Sequence, residues 1–261
     1  MNTLSFRRSG TASDAPLVLL HALPLDSTMW DGVRSALTEA GEDVDLFTPD
    51  SPGFGDSGAG SSFSEPRLAT YVEALKATLD ARGISRIVLG GLSMGGSAAA
   101  QFALAYPEMV IGLALMDTNI AADNDAQSVN RLAMAEKAEA GQGYEAVRNW
   151  TTTMLSPQAT QQVREDLDRR LRSLPDEGLA WEQRAMASRP DSTAAVELDV
   201  PLMLLRGADD PTCSLEYLES LAKRAKDVRI IEVANASHFS ALEQPEELAQ
   251  HLSSFYRRAT A

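Results

Sequence analysis

"GGLSMGGSAAA", residues 90–100, is the stretch whose reading decides the fold. Small residues suit a tight corner, but a serine set between Leu92 and Met94 is unusual there, because turns recruit Pro, Asn or Asp beside Gly. An apolar run, "RIVLGG" at 86–91, leads into the corner, and a helical pattern leaves it and ends near Tyr106-Pro107. Gly91-Leu92-Ser93-Met94-Gly95 is therefore G-x-S-x-G between a strand and a helix. So sharp a turn leaves no room for side chains two residues to either side of the serine, which accounts for Gly91 and Gly95. Ala98 and Ala99 let the helix pack closely. The corner raises the Ser93 hydroxyl above the sheet and aims the Met94 N–H and the helix N-terminus at the same point.

Outward from the corner, further Val/Ile/Leu-rich runs bounded by turn residues read as buried strands: "PLVLLH" at 16–21, "VDLFTP" at 44–49, "VIGLALMD" at 110–117, "PLMLLRG" at 201–207 and "VRIIEV" at 228–233. Helical patterns lie between them, over roughly 28–40, 65–82, 96–105, 214–225 and 244–258. Such alternation predicts an α/β protein with a mostly parallel central sheet flanked by helices. The alternation breaks once. From Asn119 to Leu198 the chain carries Ala, Glu, Gln and Arg at helical spacing without a convincing strand. Residues 119–198 are thus expected to form a helical cap, with 1–118 and 199–261 forming the core. The charge run "QQVREDLDRRLRS" is expected on a solvated face of that cap.

A serine hydroxyl needs a base, and the base needs an acid to orient it. The chain has 3 histidines. His251 sits in a helical pattern, as a packing or surface residue. His21 ends the first core strand, where a structural role in the following loop is expected. His238, in "ANASHFSALEQP", falls in a loop after the last strand, above the carboxyl ends where parallel sheets bind ligands. It is the candidate base. For the acid, "LLRGADDPTC" offers Asp209 and Asp210, and Pro211 holds Asp210 out of helical conformation. Asp117, at the end of "LALMD", is a third candidate. "HALPLD" follows the first core strand, so the Leu23 N–H is a candidate to join that of Met94 as an oxyanion-binding pair, in competition with a simple Pro turn. In the cap, Trp150, Met154, Trp181 and Met186 are candidates to line an apolar pocket, in competition with a place in the cap's own core.

Composition bounds what surrounds this chemistry. At 261 residues and 44 % hydrophobic, the chain can bury a large core. A net charge of −14 argues against nucleic acid and anionic membrane surfaces as partners. Runs such as "APLVLL" are far too short to cross a bilayer. Cys213 is the 1 cysteine, so no intrachain disulfide forms, and no apolar signal segment opens the chain. A cytoplasmic location is the expectation.

Taken in order, "LVLLHALPLD", "TPDSPGFGDSG", "GGLSMGGSAA", "LRGADD" and "ANASHFSALEQPEEL" resemble the α/β-hydrolase superfamily over nearly the whole chain. Asp50, Gly53, Gly55 and Ser57 match its loop pattern, and within it the Ser-Met elbow and "LPLD" look like enol-lactonases, cofactor-free haloperoxidase-type esterases and small carboxylesterases. The resemblance implies a Ser93–His238–Asp210 triad, with the acid three residues after Gly207. It further implies an acyl-enzyme on Ser93, a small ester or lactone as substrate, and no metal or organic cofactor. Two alternatives compete: carbon–carbon bond hydrolysis or a lyase step on the same triad, and a slow-turnover ligand receptor. The chain departs from the pattern at Ala22, where the family usually has glycine, and in a short N-terminus with room for about one strand. The sheet edge there is expected to be truncated, or covered by a partner chain in a homo-oligomer.

Overall fold

A computed structural model describes residues 2–261. Seven strands form one sheet: β1 Phe6–Ser9, β2 Leu17–Leu20, β3 Leu46–Pro49, β4 Ile87–Leu92, β5 Val110–Met116, β6 Leu202–Gly207 and β7 Val228–Val233. Their order is β1-β3-β2-β4-β5-β6-β7. Only β1 runs antiparallel, pairing Phe6 with Pro49 and Ser9 with Leu46 at one edge of the sheet. All other pairs are parallel, as βαβ crossovers require.

Helices cover both faces. On the core these are α1 Asp31–Glu39, α2 Leu68–Asp80 and α3 Met94–Ala105. Five more follow between β5 and β6: α4 Asp125–Glu139, α5 Gly143–Val147, α6 Trp150–Thr153, α7 Gln161–Arg172 and α8 Asp176–Ala187. The last three are α9 Leu215–Ala222, α10 Ser240–Glu243 and α11 Pro245–Thr260. On one face α3 lies against β2, β4 and β5, while α11 packs with α1 on the other. The central strands β2 and β4 are buried at every residue, which is why they read as unbroken apolar runs rather than alternating ones.

One expectation is corrected at the far edge. The run "VRIIEV" is not a buried strand: β7 pairs only with β6, and Arg229, Ile230 and Glu232 face solvent. Between β5 and β6 no described residue lies in a strand, and α4 packs along α8 there. Asn124 starts α4 with a capping box, its side chain accepting from the Gln127 N–H while the Gln127 side chain accepts from the Asn124 N–H. Among the described residues no helix is long and apolar enough to cross a membrane.

Candidate active site

Ser93 stands at the carboxyl end of β4 with φ 56° and ψ −117°, in the left-handed region that a side-chain-bearing residue adopts only under constraint. The constraint is visible. The Ser93 N–H donates to the Met116 carbonyl at 2.9 Å, and its own carbonyl accepts from Thr118 Oγ1 at 2.7 Å and from the Ser97 N–H at 3.1 Å. A Cβ on Gly91 would sit 2.1 Å from the Gly95 carbonyl oxygen, and one on Gly95 would sit 2.3 Å from that of Leu20. Both glycines are therefore required by backbone meeting backbone.

The loops after β6 and β7 bring two more side chains to this point. His238 Nε2 lies 2.8 Å from Ser93 Oγ. Its Nδ1 faces Asp210 Oδ2 at 3.1 Å and Thr212 Oγ1 at 2.9 Å. Thr212 donates its hydroxyl proton to Asp210 Oδ1 at 2.8 Å, so both groups facing Nδ1 present acceptors to it. The imidazole proton belongs on Nδ1, which leaves Nε2 free to accept from Ser93. Burial works against a charged ring, but the Asp210 carboxylate outweighs it and holds the His238 pKa above the ordinary value. Burial likewise pushes Asp210 up, yet His238 and the Thr212 N–H and hydroxyl bring it net below the usual carboxylate range.

The neighbouring carboxylates lie elsewhere. Asp209 points up to the cap and accepts from Ser156 Oγ at 2.6 Å. Asp117 is fully buried, accepting from the Gly207 N–H at 2.6 Å and from the Ser240 hydroxyl, with no hydrogen bond to His238. Burial, then the charge of Asp210, pushes its pKa up to about 8. His251 lies on α11, 3.7 Å from Glu247 one turn away.

Leu23 and Met94 line the same cavity as Ser93 and His238. Met94 is the first residue of α3, where helical geometry leaves an N–H without an internal partner. The loop carrying Leu23 is held by His21, whose Nε2 accepts from the Ser51 N–H at 2.9 Å. Its proton therefore sits on Nδ1 and is donated to the Ala22 carbonyl at 3.1 Å, which also accepts from the Leu25 N–H at 2.8 Å. That carbonyl and the Leu23 N–H belong to one peptide group. Ser51 in turn donates its hydroxyl at 2.7 Å to Glu182, a fully buried carboxyl on α8. Sequence reasoning missed Thr212, Ser51 and Glu182. Only Thr212 carried a signal, as a hydroxyl two residues after an Asp, the spacing of a side-chain-closed turn.

Trp150, Met154 and Met186 line the cavity above Ser93, whose volume is about 560 Å³. Trp181 does not. It packs on the other side of α8, edge-on to Phe63 with ring centroids 6.4 Å apart, and over Gly60. The reason is helical phase: five residues separate Trp181 from Met186, about 140° around the axis at 3.6 residues per turn.

Strand-end serine, loop histidine and loop carboxylate on a sheet of this order are the architecture of a hydrolase fold. The chain belongs to the alpha/beta hydrolase family, whose model matches residues 17–251. It is similar over its whole length to a solved thermophilic esterase from Thermogutta terrifontis, with TM-score 0.91, 29 % identity, and 99 % of this chain and 94 % of that one covered. A putative 2-succinyl-6-hydroxy-2,4-cyclohexadiene-1-carboxylate synthase of Bacillus subtilis is 29 % identical over 94 % of this chain and 90 % of that protein. An uncharacterized protein of Mycobacterium tuberculosis is 31 % identical over 133 residues, 49 % of this chain but only 36 % of the relative's length.

Proposed function

We propose that the protein is a serine hydrolase acting on a carboxylic ester or lactone. The observation that carries this reading is the continuous contact from Ser93 Oγ through both ring nitrogens of His238 to Asp210. Ser93 attacks the carbonyl carbon while His238 Nε2 takes its proton. Asp210 orients the ring and stabilises the imidazolium that results. The Leu23 and Met94 N–H groups bind the oxygen as it becomes negative, at a point where helix α3 adds its positive end. His238 then returns the proton to the departing alcohol. Water, activated by the same ring, releases the acyl group from Ser93.

His21 bears on this through the Ala22–Leu23 peptide. A donor on the carbonyl polarises that amide and makes its N–H the stronger donor, so His21 acts as a positioning residue for the oxyanion site. Carbon–carbon bond cleavage or formation on the same three residues is the second reading, favoured by the similarity to the Bacillus subtilis protein.

A fluorophosphonate probe tests the nucleophile. It should label the protein once, on the peptide containing Ser93, and Ser93→Ala should abolish both labelling and turnover of 4-nitrophenyl acetate. Labelling that persists in Ser93→Ala removes the assignment. A panel of esters graded by acyl length, with lactones and a 2-hydroxy-6-oxodienoate added, separates the two reactions.

A further inference from the structure

We propose that the cavity above Ser93 contains a carboxylate-binding subsite formed by Arg131 and Lys137 of α4, so that preferred substrates carry a free carboxylate besides the group that is cleaved. This deepens the hydrolase reading and rests on it for the word substrate. The subsite itself rests on the cavity wall.

Gln127, Asn130, Arg131, Met134 and Lys137 all line the cavity that holds Ser93 and His238. Their spacing of three, four, seven and ten residues puts them on one face of α4. A helix facing an apolar pocket would present Leu or Met at those positions; beside Met134 this one presents two amides and two cations. Ala135 and Ala138 are the buried positions of the same helix, which packs along α8. The same lining includes the apolar side chains of Leu23, Trp150, Met154 and Met186. A ligand that satisfies both kinds of group has a hydrocarbon body and an anionic end.

Charge compensation at the α4 wall is incomplete. Asp123, almost fully buried, is shared by two guanidinium groups: Oδ1 accepts from Arg189 Nη2 at 2.6 Å, and Oδ2 pairs with Arg131 Nε. Arg189 is fixed, with Nη1 donating to Ser97 Oγ at 2.8 Å and to the Asn119 carbonyl at 2.6 Å, while its buried Nε has no hydrogen-bond partner. Arg131 gives Nη1 to Gln183 at 3.4 Å and keeps Nη2 without a partner among the described residues. Lys137 is exposed and makes no ion pair among them. Asp123 thus pairs with two of the three cations that line the cavity, and the third, Lys137, has no ion pair among the described residues. Asp117, the carboxyl among the cavity-lining residues, is fully buried, and burial works against its charge. In a chain of net charge −14, a surplus of positive charge inside the reaction cavity is a local feature with a local use. Arg131 supplies directed N–H donors and Lys137 a mobile point charge, and a carboxylate is what such a pair recognises.

The test compares mono-4-nitrophenyl adipate, an anion, with its neutral methyl ester. The native protein should prefer the anion in kcat/KM, on the order of tenfold, chiefly through KM. Arg131→Gln and Lys137→Gln should each bring that ratio down severalfold, and 0.5 M NaCl should do the same. Arg169→Gln removes the same charge from an exposed position on α7 and should leave the ratio where it is. Because Arg131 also neutralises Asp123, the exposed Lys137 is the decisive position if Arg131→Gln does not fold. Calorimetry on Ser93→Ala with monomethyl adipate and dimethyl adipate reads the subsite without turnover. A native preference for the neutral ester, together with equal or tighter binding of the diester by Ser93→Ala, overturns the subsite while leaving the hydrolase reading intact. No turnover of either ester, with tighter binding of the monoanion that Lys137→Gln removes, keeps the subsite and ends the hydrolase reading.

Discussion

The floor of the cavity and the cap wall above it are built in opposite ways. On the floor, chemistry is dictated by backbone crowding: a Cβ on Gly91, Gly95 or Gly207 would come within 2.1, 2.3 and 2.3 Å of a carbonyl oxygen. No side chain fits at those positions, and the reactive groups stand where the strand ends put them. On the α4 wall the side chains meet open cavity, and nothing in the backbone prescribes what they are. The lesson is that reaction type is written in the floor and substrate choice in the wall. Substitutions on the floor should therefore be severe and independent of the substrate, while those on the wall should be graded and substrate-specific.

The largest expected effect, after loss of Ser93 itself, is on the acid. Asp210→Asn keeps the contact to His238 but offers an N–H or a weaker acceptor to Nδ1, so the ring is no longer held with its proton there. In a serine protease the same change costs about 10⁴ in turnover, and here a loss on the order of 10²–10⁴ in kcat is expected with the fold intact. Asp117→Asn should lose far less, because Asp117 bonds Gly207 and Ser240 and makes no hydrogen bond to His238. Asp209→Asn alters only the bond from Ser156. If circular dichroism shows all three variants folded and Asp117→Asn is the slowest, the floor has been misread.

Second in size is a change of backbone space. Gly95→Ala forces a methyl against the Leu20 and His21 carbonyls, at 2.3 and 2.6 Å. It should cost about 3 kcal/mol, at the upper end of overpacking effects, and lower the melting temperature by roughly 6–12 °C. An unchanged melting curve would show that the elbow has slack, and with it that Ser93 need not be strained.

The third is the acid limb of activity. In the proposed reaction His238 acts with Nε2 unprotonated, and Asp210 raises its pKa above the ordinary value of about 6.5. The rate should therefore fall about tenfold per pH unit once the pH drops below that raised value. Asp210→Asn removes the charge responsible and should move the limb to lower pH. A limb that stays in place would mean that another group titrates.

The same contrast explains what the sequence disclosed. G-x-S-x-G, the Gly207 turn and the loop of His238 were legible because each is a local backbone requirement that only certain residue types meet. Asp210 was separable from Asp209 only by resemblance, since two consecutive loop carboxylates differ in direction and not in composition. The α4 face was not legible: Gln127, Asn130, Arg131 and Lys137 have the composition of a solvated helix, and only their placement over Ser93 gives them meaning. Trp181 was assigned to the pocket on residue type, and helical phase sends it to the far side of α8. For β7, apolar content alone did not distinguish a buried strand from an edge with one neighbour.

The smallest effect is expected where floor and wall touch, at Glu182. This carboxyl belongs to the cap, accepts from Ser51 Oγ through Oε1, and leaves a buried Oε2 without a hydrogen-bond partner. Burial raises its pKa well above the ordinary value, with the Ser51 bond opposing. Burial thus favours the protonated form of Glu182, unlike Asp210, where His238 brings the carboxyl net below the usual range. Glu182→Gln keeps the shape and the acceptor for Ser51, so the chain of bonds to His21 and the Leu23 loop survives. It should cost at most about 1 kcal/mol at pH 6, since Oε2 already lacks a partner in the native protein, and leave kcat/KM within about threefold. The sign then changes with pH. A carboxyl whose folded pKa is raised contributes stability in full below its unfolded value, and that contribution is lost as pH rises through the folded value. Glutamine cannot lose it. Urea unfolding at pH 6 and pH 9 should show the variant gaining on the native protein, though Asp117, raised in the same direction, keeps some slope in both. A variant that instead falls further behind at pH 9 would mean that Glu182 is ionised and paired. The cap would then be fastened to the floor by charge rather than by a neutral hydrogen bond.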